Sequence, residues 1–371
     1  MIFRAVLVAT PLFMLHSSAF SAPAATKPTK NLNPKLFPHT PYVPPNPLLN
    51  NQHVQTIGGA FLRDPDLTFK ADFEESRVRI PTPDGDFFDV DILRRRRMKA
   101  SSTHPKIAVI LHGLESTSTS PLCQSLSSSF VKQGIDEIHC VCFRGCSGSP
   151  NLTPGGYHLG FTDDLKQYLT DHLPQSSPKY LSGFSLGANV ILKALGELSS
   201  SASTLHIKSA SLLCVPFDCS LCQPKLDSPG FNKSVYSKNF LKTLIAKTVD
   251  QHSRGLMNSI PDFDINKVKK CTTIGEFDDC VVAPIYSFTS NQDYYRKSSC
   301  SQYLDSIKVP FLVINANDDP FFDKGCYVEE EKVEMMKAIY TEEGGHCGYL
   351  GGWAEETMGS FFRWTMYEDG V

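Results

Sequence analysis

The segment Gly183-Phe184-Ser185-Leu186-Gly187 places one hydroxyl between two glycines. A serine hydroxyl attacks an electrophilic carbonyl only when a neighbouring base removes its proton, because it is a weak nucleophile at neutral pH. A glycine-punctuated turn without chemistry is the plain alternative. The flanking residues argue for chemistry. "SPKYLSG" before the motif reads as a short apolar strand, and after it Val190, Ala194 and Leu198 recur every fourth position beside Ile191 and Leu195. That recurrence is one face of a helix. Strand, tight turn and helix together raise a serine to the carboxyl edge of a sheet, next to the free N–H groups of a helix start.

A base for Ser185 should be a histidine, whose unperturbed pKa of about 6.5 suits proton exchange near neutrality, so that activity should rise with pH through roughly 6–7.5. Of 11 histidines, His346 in "TEEGGHCGYLGG" stands late in the chain behind two glycines, directly after a strand pattern. A surface-loop histidine is the alternative there. The acid that orients the imidazole should leave the end of the preceding strand. "FLVINANDDPFF" offers Asp318 and Asp319. Asp319 fits the spacing Gly-x-x-Asp-x-apolar-apolar with Ala316 in the glycine place, and Asp318 is the alternative. A tetrahedral oxyanion needs two backbone donors. Leu186 N–H follows the nucleophile, and Leu114 N–H follows "LHG" at the end of an earlier strand. The order Ser…Asp…His is that of the α/β-hydrolases.

These residues need a scaffold. "RVRIPTPDGDFFDVDIL" alternates on both sides of Pro83-Asp84-Gly85, as a hairpin does. Strand patterns follow in "IAVILHG", "EIHCVCF", "KYLSG", "SASLLCVPF", "VPFLVINA" and "MKAIYT". Helical stretches are expected near Pro121–Gln133, Phe161–His172 and Ala354–Tyr367. Strands alternating with helices predict an α/β fold, a mostly parallel central sheet with helices on both faces. Residues 41–371 form this domain. Roughly 218–305 interrupt the rhythm with "KNFLKTLIAKTV" and several aromatics, which reads as a lid-like helical insertion before the acid-bearing strand.

The chain has 371 residues, 36 basic and 39 acidic, for a formal net charge of −3, so nothing points to nucleic acid. The only dense basic run, Arg94–Arg97, reads as a solvated loop, with contact to anionic lipid as the other reading. There is no GxGxxG, no HExxH and no Cys/His quartet, so no cofactor and no metal are expected. Residues 1–19 carry Arg4, an apolar core from Ala5 to Leu15, and Ser17 and Ala19 at signal-peptidase spacing. That is a signal-peptide pattern, and its core is shorter than the about 20 residues a membrane span requires. Residues 20–40, with lysines and no acid, read as an extended presequence. Entry to the secretory pathway is therefore expected, with a plastid as one destination and secretion or membrane anchoring as the others. The 12 cysteines are scattered, and "CSLC" is a lone CxxC without a second pair. Such usage fits a reducing compartment better than a disulfide framework.

Several further stretches carry a family resemblance: "NNQHVQTI", "LHGLES", "FRGCSGSPN", "GFSLGANVILKALGE", "VPFD", "EFDDCVVAPIYSF", "DYYRKSS", "NANDDPFF" and "GGHCGY". In this order, from about Pro41 to Trp364, they resemble the YheT-like branch of the α/β-hydrolases. That branch includes the plant embryogenesis-associated hydrolases and mammalian membrane-anchored abhydrolase-domain proteins. The resemblance implies a carboxylesterase, or a lipase acting on acylglycerols or phospholipids, with Ser185, Asp319 and His346 as triad. It also makes His158, in "GYHLGFTDD", a structural residue. Two features depart from the pattern: Ala188 stands where glycine is common, and the N-terminus reads as a cleaved signal rather than an anchor. The expected function is hydrolysis of carboxylic esters with apolar acyl chains, on a small-molecule or lipid substrate met with or without peripheral membrane contact. Transfer of the acyl group to an alcohol is a second reading, and a non-catalytic binding protein on a hydrolase scaffold a third.

Overall fold

The computed structural model describes residues 32–46, 49–96 and 104–368. The signal-peptide reading and most of the presequence reading fall outside the described residues. Among the described residues, eight strands form one sheet: β1 (Phe73–Pro81), β2 (Phe87–Arg95), β3 (Ile107–Leu111), β4 (Glu137–Cys142), β5 (Lys179–Phe184), β6 (Ile207–Leu213), β7 (Phe311–Ala316) and β8 (Met336–Thr341). Their order is β1-β2-β4-β3-β5-β6-β7-β8. β1 and β2 form the antiparallel hairpin, β2 meets β4 antiparallel, and every later pairing is parallel.

The parallel strands are buried on both faces, as strands covered by crossover helices must be. In β3, Ile107, Val109 and Leu111 enter one core while Ala108 and Ile110 enter the other. β7 splits the same way, with Phe311 and Val313 opposite Leu312 and Ile314. The first core is closed by α3 (Asp163–Gln167) and α4 (Leu186–Leu198). The second is closed by α2 (Pro121–Lys132) and the final helix Trp353–Glu368, through Leu126, Phe130, Met358 and Phe362. Phe37, in the extended N-terminal segment, is buried in this second core with its ring 5.1 Å from Phe361.

The arginine run differs from expectation. β2 continues to Arg95 rather than ending in a loop. Arg94 pairs with Glu137 at 3.0 Å, and Arg95 lies over the Phe73 ring at 4.8 Å. Cross-strand partners for both charge and ring make these positions the last residues of β2, held between β1 and β4. Residues 218–305 carry a small core of their own, built from Leu241, Val268, Ile274, Phe277, Val281, Tyr294 and Tyr295. Among the described residues, no helix is long and apolar enough to cross a membrane.

Candidate active site

Ser185 is forced into an unusual backbone state, φ 54° and ψ −124°, between β5 and α4. Its N–H donates to Leu213 O at 2.9 Å, which ties the turn to β6. The two glycines follow from the same crowding. A Cβ on Gly187 would lie 2.4 Å from Leu111 O and 2.5 Å from His112 O. A Cβ on Gly183 would lie 2.9 Å from Gly187 O and from Ile191 Cδ1. Side chains at either place would push α4 off the sheet. Ala188 is fully buried in the first core, so this position accepts a methyl group.

The structure brings the three predicted side chains together. His346 Nε2 lies 2.9 Å from Ser185 Oγ, and His346 Nδ1 lies 2.8 Å from Asp319 Oδ2. Asp319 Oδ1 accepts the Phe321 N–H at 2.8 Å, which fixes the carboxylate plane. Asp318 does a different job: its Oδ1 accepts the Gly345 N–H at 2.8 Å and so holds the loop that presents His346. Burial pushes the Asp318 carboxyl above its usual range, the Gly345 N–H opposes this, and the neighbouring Asp319 adds to it. The His346 ring is stacked on Phe321 at 4.1 Å and edged by Phe322 at 5.1 Å.

No protein-family profile matches the whole sequence or a part of it. Among curated proteins, the YheT protein of Escherichia coli (strain K12), named as an esterase, is 30% identical over 310 residues. The match spans 82% of this chain and 85% of YheT. The chain belongs to the YheT-like family of α/β-hydrolases. Medium-chain fatty acid ethyl ester synthase/esterase 2 of Saccharomyces cerevisiae is 28% identical over 280 residues, covering 69% of this chain and 61% of its own length. The solved esterase Pf2001 of Pyrococcus furiosus shares the fold, with a TM-score of 0.50, 18% identity, and coverage of 81% of this chain and 96% of that one.

In this YheT-like chain the His346 loop rests on α1 (Gln52–Phe61), the helix formed by the "NNQHVQTI" segment. Thr56 Oγ1 accepts the His346 N–H at 2.8 Å. Arg63 donates to Gly348 O at 2.7 Å and pairs with Glu355 at 2.7 Å. A Cβ on Gly59 would lie 2.8 Å from Gly348 Cα, so helix and loop pack backbone to backbone. The sequence motif signals this segment but assigns no role to Thr56 or Arg63.

A second unassigned residue is His112. It is fully buried, accepts the Phe143 N–H on Nε2 at 3.2 Å, and therefore donates from Nδ1 to Gly113 O at 2.8 Å. Burial drives its pKa down to about 4, the bond to Gly113 and Glu115 opposing, so it is neutral. Ser116 N–H donates to the same Gly113 oxygen at 3.2 Å. In a trans peptide the N–H points opposite to the C=O, so fixing Gly113 O fixes the Leu114 N–H. A Cβ on Gly113 would lie 3.3 Å from Ser185 Cβ, which sets this peptide beside the serine. Among the described residues, neither Leu114 N–H nor Leu186 N–H is engaged by a hydrogen bond.

Cys214 and Cys347 flank the histidine. Cys347 N–H donates to Cys214 Sγ at 3.1 Å. Cys214, His346 and Cys347 bring donor atoms within 4.8 Å of one another, yet both imidazole nitrogens are already committed to Ser185 and Asp319. His158 is ringed by Tyr286, Phe288 and Tyr294, and burial lowers its pKa to about 3, with Lys193 adding to the effect. It is a neutral packing residue.

Proposed function

We propose that this chain is a serine hydrolase of carboxylic esters with apolar acyl chains, with Ser185 as nucleophile, His346 as base and Asp319 as the acid that orients it. The reading rests on one observation: an unbroken contact path from Asp319 Oδ2 through His346 to Ser185 Oγ, each step under 3 Å, at a strained turn. His346 takes the Ser185 proton as Oγ attacks the ester carbonyl. The oxyanion forms between the Leu114 and Leu186 N–H groups, which no protein group occupies. Imidazolium then protonates the leaving alkoxide, and water repeats the sequence on the acyl-enzyme. Asp319 keeps the Nδ1 proton in place and stabilises the charged ring.

The apolar surroundings of the site, Phe321, Phe322, Leu114 and Leu186, support an apolar acyl group, as does the fatty acid ester in the yeast relative's name. Exposed Val54, Phe61 and Leu62 lie on and just past α1, which also braces the His346 loop; they support esters presented at a lipid surface. Ser185→Ala is expected to abolish hydrolysis of p-nitrophenyl esters and labelling by a fluorophosphonate while keeping the wild-type melting temperature. Full activity in that variant, or no labelling of the wild type, would refute the reading and favour a binding protein. The yeast relative's name also contains "synthase", which favours acyl transfer to an alcohol as a second reading. Product analysis with ethanol present separates ester formation from acid release.

A further inference from the structure

The oxyanion peptide is pinned at its first end by His112. Its other end is pinned by groups that the catalytic reading does not use. Glu115, directly after Leu114, has φ 55°. A non-glycine residue stays in that left-handed region only where its surroundings hold it there. Tyr157 supplies two of the ties: its hydroxyl accepts the Glu115 N–H at 2.8 Å and donates to Glu115 Oε1 at 2.9 Å. Lys247 supplies the third, donating from Nζ to the same Oε1 at 2.8 Å and to Cys146 Sγ at 3.3 Å. The Glu115 side chain is nearly buried while 37% of the Lys247 side chain is exposed, so solvent screens this ion pair only in part. Tyr157 is itself stacked on Phe143 at 4.7 Å, and Phe143 is the residue whose N–H holds His112. Both ends of His112–Glu115 therefore close on one connected set of contacts. Only the Lys247 contact comes from the insertion, from helix Lys238–Ser253.

We propose that Lys247 and Tyr157 are positioning residues that act through Glu115 to hold the Leu114 N–H toward the oxyanion, so that the insertion helix sets the competence of the oxyanion hole. The proposal rests on the reading of Leu114 as an oxyanion donor. A donor that matters only in the transition state changes kcat and leaves KM alone. Complete loss of such a donor lowers turnover by about 10²–10³-fold, and loosening it should cost about 10–100-fold.

The test is steady-state hydrolysis of a p-nitrophenyl ester by full-length Lys247→Met, Lys247→Arg and Tyr157→Phe proteins. Binding of an alkylboronic acid, which forms a tetrahedral adduct with the serine, is measured beside it. Lys247→Met is expected to lower kcat by about 10–100-fold with KM within about twofold, and to weaken the boronic acid by the same factor. Lys247→Arg should recover most of kcat. Lys247→Met combined with Tyr157→Phe should fall short of the product of the single effects, because both act on Glu115. A raised KM at unchanged kcat would overturn the proposal and make Lys247 a substrate contact. An arginine variant as poor as the methionine one would overturn it in favour of packing, and independent multiplication of the two losses would overturn the shared route through Glu115. Fluorophosphonate labelling of one serine per chain in Lys247→Met would show that nucleophile and base are intact, so a kcat loss in that protein supports the proposal. Activity surviving Ser185→Ala would instead remove the catalytic reading beneath it.

Discussion

β3, β5 and β7 are buried at every residue, whereas the 16-residue helix Lys238–Ser253 buries only Leu241, Thr248 and Gln251. The sheet edge presents Ser185 and Asp319 from strands whose alternate side chains fill two cores, and backbone contacts leave the chain no other path. The insertion reaches the same edge through the packing of Tyr236 on Phe321, rings 4.7 Å apart, and through single polar contacts. Gln251 meets Asn151 Oδ1 at 2.8 Å, Arg254 meets Asn151 O at 2.7 Å, Tyr294 accepts the Leu159 N–H at 2.8 Å, and Lys247 meets Glu115. Close packing fixes position against large distortions, because any shift loses many contacts at once. Hydrogen bonds and ion pairs fix orientation, and each can be lost by itself. The difference teaches that the sheet sets where Ser185, the proposed nucleophile, stands, while on the proposal above the insertion adjusts how well the surrounding donors face it.

The largest effect should come from the sheet side. Asp319→Asn removes the charge that holds the His346 tautomer, and kcat should fall by about 10³–10⁴-fold with the fold intact. Asp318→Asn keeps an oxygen that can accept the Gly345 N–H, and should cost less than about tenfold. Kinetics of the two variants on one ester decide the matter. A larger loss in Asp318→Asn would exchange the roles of the two carboxylates.

Gly187→Ala comes next, and it acts on stability. The added methyl group meets two backbone oxygens inside 2.6 Å, so α4 or the end of β3 must move. Overpacking of this kind costs about 1–3 kcal/mol and more where backbone resists. Lys242→Ala, on the exposed side of the insertion helix, should stay within about 0.5 kcal/mol. Chemical denaturation of both proteins is the measurement, and equal stabilities would break the contrast between packed edge and polar insertion. The same contrast explains what could be read from the sequence. Short apolar runs and the Gly-x-Ser-x-Gly spacing are local, so the strands, Ser185 and α4 were legible. Asp319 was legible because its spacing from the end of β7 is also local. His112 and Lys247 were not, since their partners Phe143 and Glu115 lie 31 and 132 residues away. Arg94 and Arg95 were misread as loop because their acidic and aromatic partners sit on neighbouring strands.

A smaller effect concerns pH. Burial alone would lower the His346 pKa, but the Asp319 carboxylate and Cys347 prevail and raise it to about 10. Cys347 is in turn held down at about 6: burial would raise it, while Cys214 and the His346 imidazolium lower it. His346 must be neutral to accept the Ser185 proton, so activity should rise with pH along a limb above the range of about 6–7.5 expected for an unperturbed histidine. Cys347→Ser removes an ionisable neighbour that favours imidazolium, so the limb should move to lower pH. The measurement is the pH profile of kcat/KM for both proteins on a slow ester. An unmoved limb would show that Asp319 alone sets the His346 pKa.

The smallest effect lies within the insertion and tests whether its polar contacts carry their own titration. Asp278 is buried there, with the Tyr295 hydroxyl donating to its Oδ2 at 2.6 Å. Burial raises its pKa to about 8, the Tyr295 bond opposes, and Asp227 and Asp279 add to the rise. The native chain thus keeps a proton that the unfolded chain, with its ordinary value of 3.8, has already released. Between those two values the folded state binds more protons, so stability declines as pH rises through the window. Asp278→Asn supplies a neutral side chain whose oxygen still accepts from Tyr295, and it does not titrate. Its melting temperature should match the wild type's near pH 4 and exceed it by at least about 2 °C at pH 8. kcat at pH 8 should be unchanged, because Asp278 touches neither the sheet edge nor the Lys247–Glu115 contact. A constant melting difference across the range would mean that Asp278 is ionised in the folded state, and that the insertion, like the sheet, is held independently of pH in this window.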